Sequence, residues 1–176
     1  MNLKTLSFIF IVTIGLTLYG ASSLFLNRIE SGYLTIKIKD PPDDWGPASA
    51  VYITSSEISI HRVDVADESG WFETGISIAN LSLEEFTVFG RVIGHVSLKA
   101  GTYNIIRFEI VQAIVTVQGK NYSCEVPSGK FDTQIVPGGV TVTQNHFSTL
   151  LVDIRPKIIQ NYNTFKLLPT VRASPI

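Results

Sequence analysis

From Gly32 onward the chain alternates apolar and polar residues in short runs, the period of a strand whose two faces meet different surroundings. In "GYLTIKIKD", Leu34, Ile36 and Ile38 share one face while Tyr33, Thr35, Lys37 and Lys39 share the other, which predicts a strand half-buried against a core. "ASAVYITSSEISIHRVDV" continues with Val51 and Ile53, then Ile58 and Ile60. The phase break at Ser55-Ser56-Glu57 predicts a bulge in one long strand, or two strands. "ADESG" reads as a hairpin loop, with Trp71 beginning the return. "NLSLEEFTVFGRV" has no clear period and reads as a connection.

Beyond it, Lys99-Ala100-Gly101 turns the chain, and Ile106, Phe108 and Ile110 are expected to be core, with Arg107 and Glu109 on a solvated face. Gln118-Gly119-Lys120-Asn121 predicts a hairpin between "AIVTV" and "YSCEV", and Pro137-Gly138-Gly139 predicts a further turn. "HFSTLLVDI" and "FKLLPTV" close the series, Pro169 marking an edge or a bulge. With no amphipathic helix of ordinary length, the expected fold is all-β, a two-sheet antiparallel sandwich of about eight strands.

The first residues differ. Leu6 to Leu26 carries no charge for 21 residues, enough as a helix to cross a hydrocarbon core of about 30 Å. Residues 1–31 are therefore expected to be a signal-anchor or transmembrane helix with a short spacer, "NRIESG", and residues 32–176 the β domain. Lys4 alone flanks the amino-terminal side, so the domain is expected outside the cytoplasm, membrane lipid being the partner of Leu6 to Leu26. Cleavage near Gly20-Ala21-Ser22-Ser23 is the rival reading and would make the domain secreted. No cysteine follows the apolar run, which excludes a lipoprotein anchor.

Composition adds limits. Only 16% of residues are charged and the formal net charge is -1, so no basic surface for nucleic acid is expected. Sparse carboxylates suit an acid-bathed surface, since few native pairings are lost on protonation. Cys124 is the only cysteine, so no internal disulfide framework exists.

The order of motifs, "IKDPPDD", "VYITSSEISIHRV", a loop ending in Trp71, "LKAGTYNIIRFEI", "VPSGK" and "FKLLPTVRA", resembles the family known as domain of unknown function 4382, over Gly32 to Ala173. The resemblance implies a bacterial or archaeal envelope protein with a prealbumin-like or immunoglobulin-like sandwich. It implies no activity.

Among candidate sites, "VPSGK" lacks the first loop glycine and the Ser or Thr after Lys130 that phosphate binding requires, so it reads as a turn. Cys124 alternates with core positions, and His61, His95 and His146 have no ligand partner at close spacing. No catalytic residue and no cofactor are expected. Asp40, Asp43 and Asp44 are weak calcium candidates, because three carboxylates fall short of a full ligand set. Trp45 and Trp71 are the recognition candidates, for a surface glycan or another envelope protein, Trp45 the better of the two. Asn80 and Asn121 begin N-glycosylation sequons.

The expected role is a non-enzymatic, membrane-tethered cell-surface component in adhesion or assembly, using strand edges to accept a strand from a neighbour or donating "YLTIKI" in trans. The alternative is an accessory subunit of an integral membrane complex such as a respiratory oxidoreductase, its helix packed through Gly15, Gly20, Ala21 and Ser22.

Overall fold

The computed structural model describes residues 30–39, 45–85 and 90–176; the apolar run Leu6 to Leu26 and the carboxylates Asp40, Asp43 and Asp44 lie outside them. Among the described residues no helix is long and apolar enough to cross a membrane. The fold is all-β. Eleven strands follow in order: β1 (Ser31–Lys39), β2 (Ala50–Arg62), β3 (Trp71–Glu73), β4 (Ile78–Ser82), β5 (Arg91–Lys99), β6 (Gly101–Val117), β7 (Lys120–Glu125), β8 (Lys130–Gln134), β9 (Val140–Val142), β10 (Phe147–Asn161) and β11 (Thr164–Pro175).

They form one curled sheet in the order β3-β2-β6-β7-β11-β10-β1-β5, with β4 also paired to β2, and β8 and β9 to β6. The sheet has two halves, β5-β1-β10-β11 and β3/β4-β2-β6-β8/β9, which β7 joins. Alternation drives the packing. Leu34, Ile36, Ile38, Leu150, Val152 and Ile154 from the first half share one core with Ile58, Ile60, Ile106 and Phe108 from the second, all ten of them fully buried.

The expectation of a two-sheet antiparallel sandwich of about eight strands is corrected: the eleven strands form one sheet, and it is mixed. β1 runs parallel to β10, from Tyr33↔Phe147 to Lys39↔Asp153, and antiparallel to β5. β11 meets β7 in parallel at two positions. Alternation fixes which face of a strand is buried but says nothing about the direction of a neighbour more than a hundred residues away. β1 thus lies between two strands of its own chain, its apolar face buried.

The phase break at Ser55-Ser56-Glu57 is a real irregularity, since the register of β2 against β6 shifts at Thr54/Ser55 and again at Ser55/Glu57. The segment read as a connection holds the last residues of β4, a short 3-10 turn at Leu83–Glu85 and the start of β5. Pro169 in β11 stands opposite Pro156 in β10. The far side of β11 pairs with β7 only at Phe165 and Lys166, so the missing N–H costs little there.

Candidate binding surface

The most developed surface is on the outer face of the second half. Cross-strand register places Glu73, Ser59, Arg107 and Asp132 in one row across β3, β2, β6 and β8, with Glu57, Glu109 and Lys130 in the next. Glu57, Ser59, Glu73, Arg107 and Glu109 line an open groove of about 710 Å³ together with Glu68, Trp71 and Phe72.

Local chemistry fixes Trp71. Asp67 caps a 3-10 turn, Glu68–Gly70, by accepting the Ser69 amide at 3.0 Å. Its backbone carbonyl lies 3.0 Å from His61 Nε2. Gly70 must be glycine here, because a Cβ would come within 2.5 Å of the same Nε2. The Trp71 ring then meets the His61 edge at 5.0 Å, and the Arg107 guanidinium covers it at 4.0 Å. Arg107 donates two 2.8 Å hydrogen bonds to Asp132, which push its pKa above the usual arginine value. Glu57 is tied down as well, accepting the Thr74 and Gly75 amides at 2.9 and 3.1 Å. Glu68, Glu73 and Glu109 form no ion pair among the described residues, although the charges of Glu109 and Glu68 act on Arg107. The groove therefore combines a braced aromatic ring with carboxylates able to accept hydrogen bonds from hydroxyls or bind cationic side chains.

A second groove, of about 390 Å³, lies between the two ends of the sheet, lined by Ile78 to Ser82 of β4 and Arg91 to Ile93 of β5. The ends approach closely beside it: a Cβ on Gly94 would meet Ile76 at 2.6 Å.

Trp45 is 9% exposed and belongs to the core cluster, whereas Trp71 is only partly buried, so Trp71 has the more open ring of the two. Asn80 is exposed beside the β4/β5 groove with a left-handed φ of 48°, and its amide donates to Thr54 Oγ1 at 3.1 Å. Asn121 is exposed on β7, its Oδ1 accepting from Thr116 Oγ1 at 2.8 Å. "VPSGK" forms the turn between β7 and β8, with Gly129 at φ 63°. Cys124 is buried, and burial pushes its thiol up to about 11, the charge of Glu125 adding to the effect.

His95 bonds Thr35 at 2.9 Å and His146 the Gln144 carbonyl at 2.6 Å, far from His61 in the sheet. No group of three metal-ligating side chains occurs among the described residues. The Arg107–Asp132–Trp71 constellation has no signal in the sequence, because it draws on three strands whose register no local pattern encodes.

Comparison with known proteins gives a limited set of likenesses. No curated protein matches the chain. A crystal structure of a candidate cell adhesion protein from Bacteroides eggerthii aligns with a TM-score of 0.39 and 9% identity, covering 82% of this chain. The chain spans 56% of that protein's length. The family model described as domain of unknown function (DUF4382) matches residues 31–169, and the chain belongs to that family.

Proposed function

We propose that the protein is a non-enzymatic, membrane-tethered component of the cell surface, and that the two halves of its curled sheet act as the layers of a sandwich presenting one outer face to another envelope component. The observation that carries this is the Trp71 groove. A partly buried indole held between His61 and Arg107, with Glu68, Glu73 and Glu109 free to bond, has the make-up of a recognition surface: an aromatic anchor with a polar rim. Its rigidity supports the same use, since little entropy is lost when an already braced anchor binds. The partner is an envelope protein or a surface glycan.

Tethering rests on the uncharged run Leu6 to Leu26, which ends four residues before Glu30. The outer edges of β4 and β5, which pair with no further strand among the described residues, are a further means of attachment, able to pair with an extended segment of a partner.

Mild-detergent solubilisation of native membranes, followed by native sizing and mass spectrometry, tests the proposal. The expected result is an envelope partner that is lost with Trp71→Ala and retained with Lys120→Ala, a change on the separate β6/β7 hairpin. A stoichiometric integral membrane complex that both variants retain would contradict it and favour the accessory-subunit reading.

A further inference from the structure

Charge is sorted between the two halves of the sheet in a way the overall net charge of -1 conceals. The four strands of the first half, β5, β1, β10 and β11, contain eight Lys and Arg residues and a single acid, Asp153. Alternation places Lys37 and Lys39 of β1, Arg155 and Lys157 of β10, and Lys166 and Arg172 of β11 opposite in phase to the buried Ile36, Ile38, Ile154, Ile158, Leu167 and Ala173. They share the outer face. Asp153 answers Lys39 at 3.4 Å and Arg155 at 3.1 Å, and Lys166 pairs with Glu125 at 3.3 Å. Lys37, Lys157 and Arg172 have no acidic partner among the described residues. The Trp71 face of the second half leans the other way: Glu57, Glu68, Glu73, Glu109 and Asp132 stand there against Arg107 and Lys130, and Arg107 is ion-paired to Asp132.

We propose that the occupant of the Trp71 face is a second copy of this chain, docked by the outer face of its β1-β10-β11 sheet. The proposal rests on the reading of that face as a binding surface and names its partner. Three arguments favour a second copy. The surfaces are complementary in sign, which steers encounter and penalises the like-charged alternatives of basic on basic or acidic on acidic. They lie on opposite sides of one core, so a copy that has bound still offers a free face of each kind, and the contact is head-to-tail and repeats. Size fits as well: with β5 beside β1 the face is four strands wide and, along the 15 residues of β10, about 50 Å long, which supplies on the order of 800 Å². Trp71 and the neutralised Arg107–Asp132 pair lie within the acidic face, where the anchor of such a contact belongs.

The test uses the full chain in mild detergent, sized by sedimentation velocity at low salt (about 20 mM) and high salt (about 500 mM). Wild type should form concentration-dependent multimers at low salt, with affinity falling about tenfold or more at high salt. The double variants Lys157→Glu/Arg172→Glu and Glu73→Lys/Glu109→Lys should each stay at the single-copy size. Mixed together, the two should re-associate, because each then carries the charge the other needs. Circular dichroism on each variant separates lost contact from lost fold. Wild type at single-copy size in low salt, or folded variants that fail to associate on mixing, would overturn the proposal. If the wild type is single-copy yet Glu73→Lys/Glu109→Lys abolishes recovery of a different envelope component, the self-contact is wrong and the binding-surface reading stands; if that variant recovers every partner unchanged, both fall.

Discussion

The guanidinium of Arg107 lies 4.0 Å above the ring of Trp71 and is clamped from the other side by Asp132 through two 2.8 Å hydrogen bonds. Three strands, β3, β6 and β8, are thereby linked on the outer face of the sheet. A residue expected to stand in solvent is instead a brace with a side chain only 18% exposed. Arg107→Ala should cost on the order of 1 kcal/mol, combining a lost cation–π contact with a part-exposed ion pair. Arg107→Lys should restore little of it, because an ammonium cannot make the paired contact. Urea titration measures both, and a double-mutant cycle with Trp71→Ala should return a non-zero coupling.

One position further along β6 the balance is different. Phe108 is fully buried and opposite Phe131, also buried, in the β6–β8 ladder. Phe108→Ala should destabilise by about 3–5 kcal/mol through lost burial and the cavity left behind. Glu109→Ala on the outer face should stay within about 0.5 kcal/mol. Equal effects in thermal or chemical unfolding would show that the β6 register is wrong.

Cys124 should be chemically quiet. With its thiol pushed up to about 11 by burial, the thiolate fraction near pH 8 is about two orders of magnitude below that of a free cysteine. Iodoacetamide should label it only after the chain is unfolded. Rapid labelling of the folded protein would place Cys124 at the surface and remove it from the core.

Acid should loosen the turn that sets Trp71. The carboxyl of Asp67, bonded by the hydroxyl and amide of Ser69, is held below the ordinary aspartate range. A carboxyl whose folded value is depressed contributes stability that is fully present above its unfolded value of about 3.9 and is lost as pH falls through the folded value. Asp67→Asn should therefore flatten the melting temperature against pH below about pH 4. A curve that keeps its acid limb unchanged would show that this carboxyl contributes nothing to it.

Much of this architecture is readable from alternation alone. Leu34, Ile36 and Ile38, and again Ile106, Phe108 and Ile110, are core residues as their spacing requires, and the Ser55-Ser56-Glu57 phase slip is a true register shift. What alternation does not carry is partnership. Nothing near Tyr33 announces that it will stack on Phe147, 4.9 Å away on a parallel strand. Trp45 follows two aspartates and two prolines, the make-up of a solvated loop, yet it is tucked into the core. The candidate surface is legible only as one aromatic, Trp71, since Glu73, Arg107, Glu109 and Asp132 converge through cross-strand register.

The central claim is that this sheet is held at the membrane and presented outside it. Treating intact cells with a membrane-impermeant amine reagent, then analysing carbonate-washed membranes by peptide mass spectrometry, addresses both parts at once. The protein should stay in the pellet with the Leu6 to Leu26 peptide intact, and the exposed Lys120 and Lys157 should be labelled before lysis. Labelling that appears only after lysis, or release of the protein by carbonate, would contradict it.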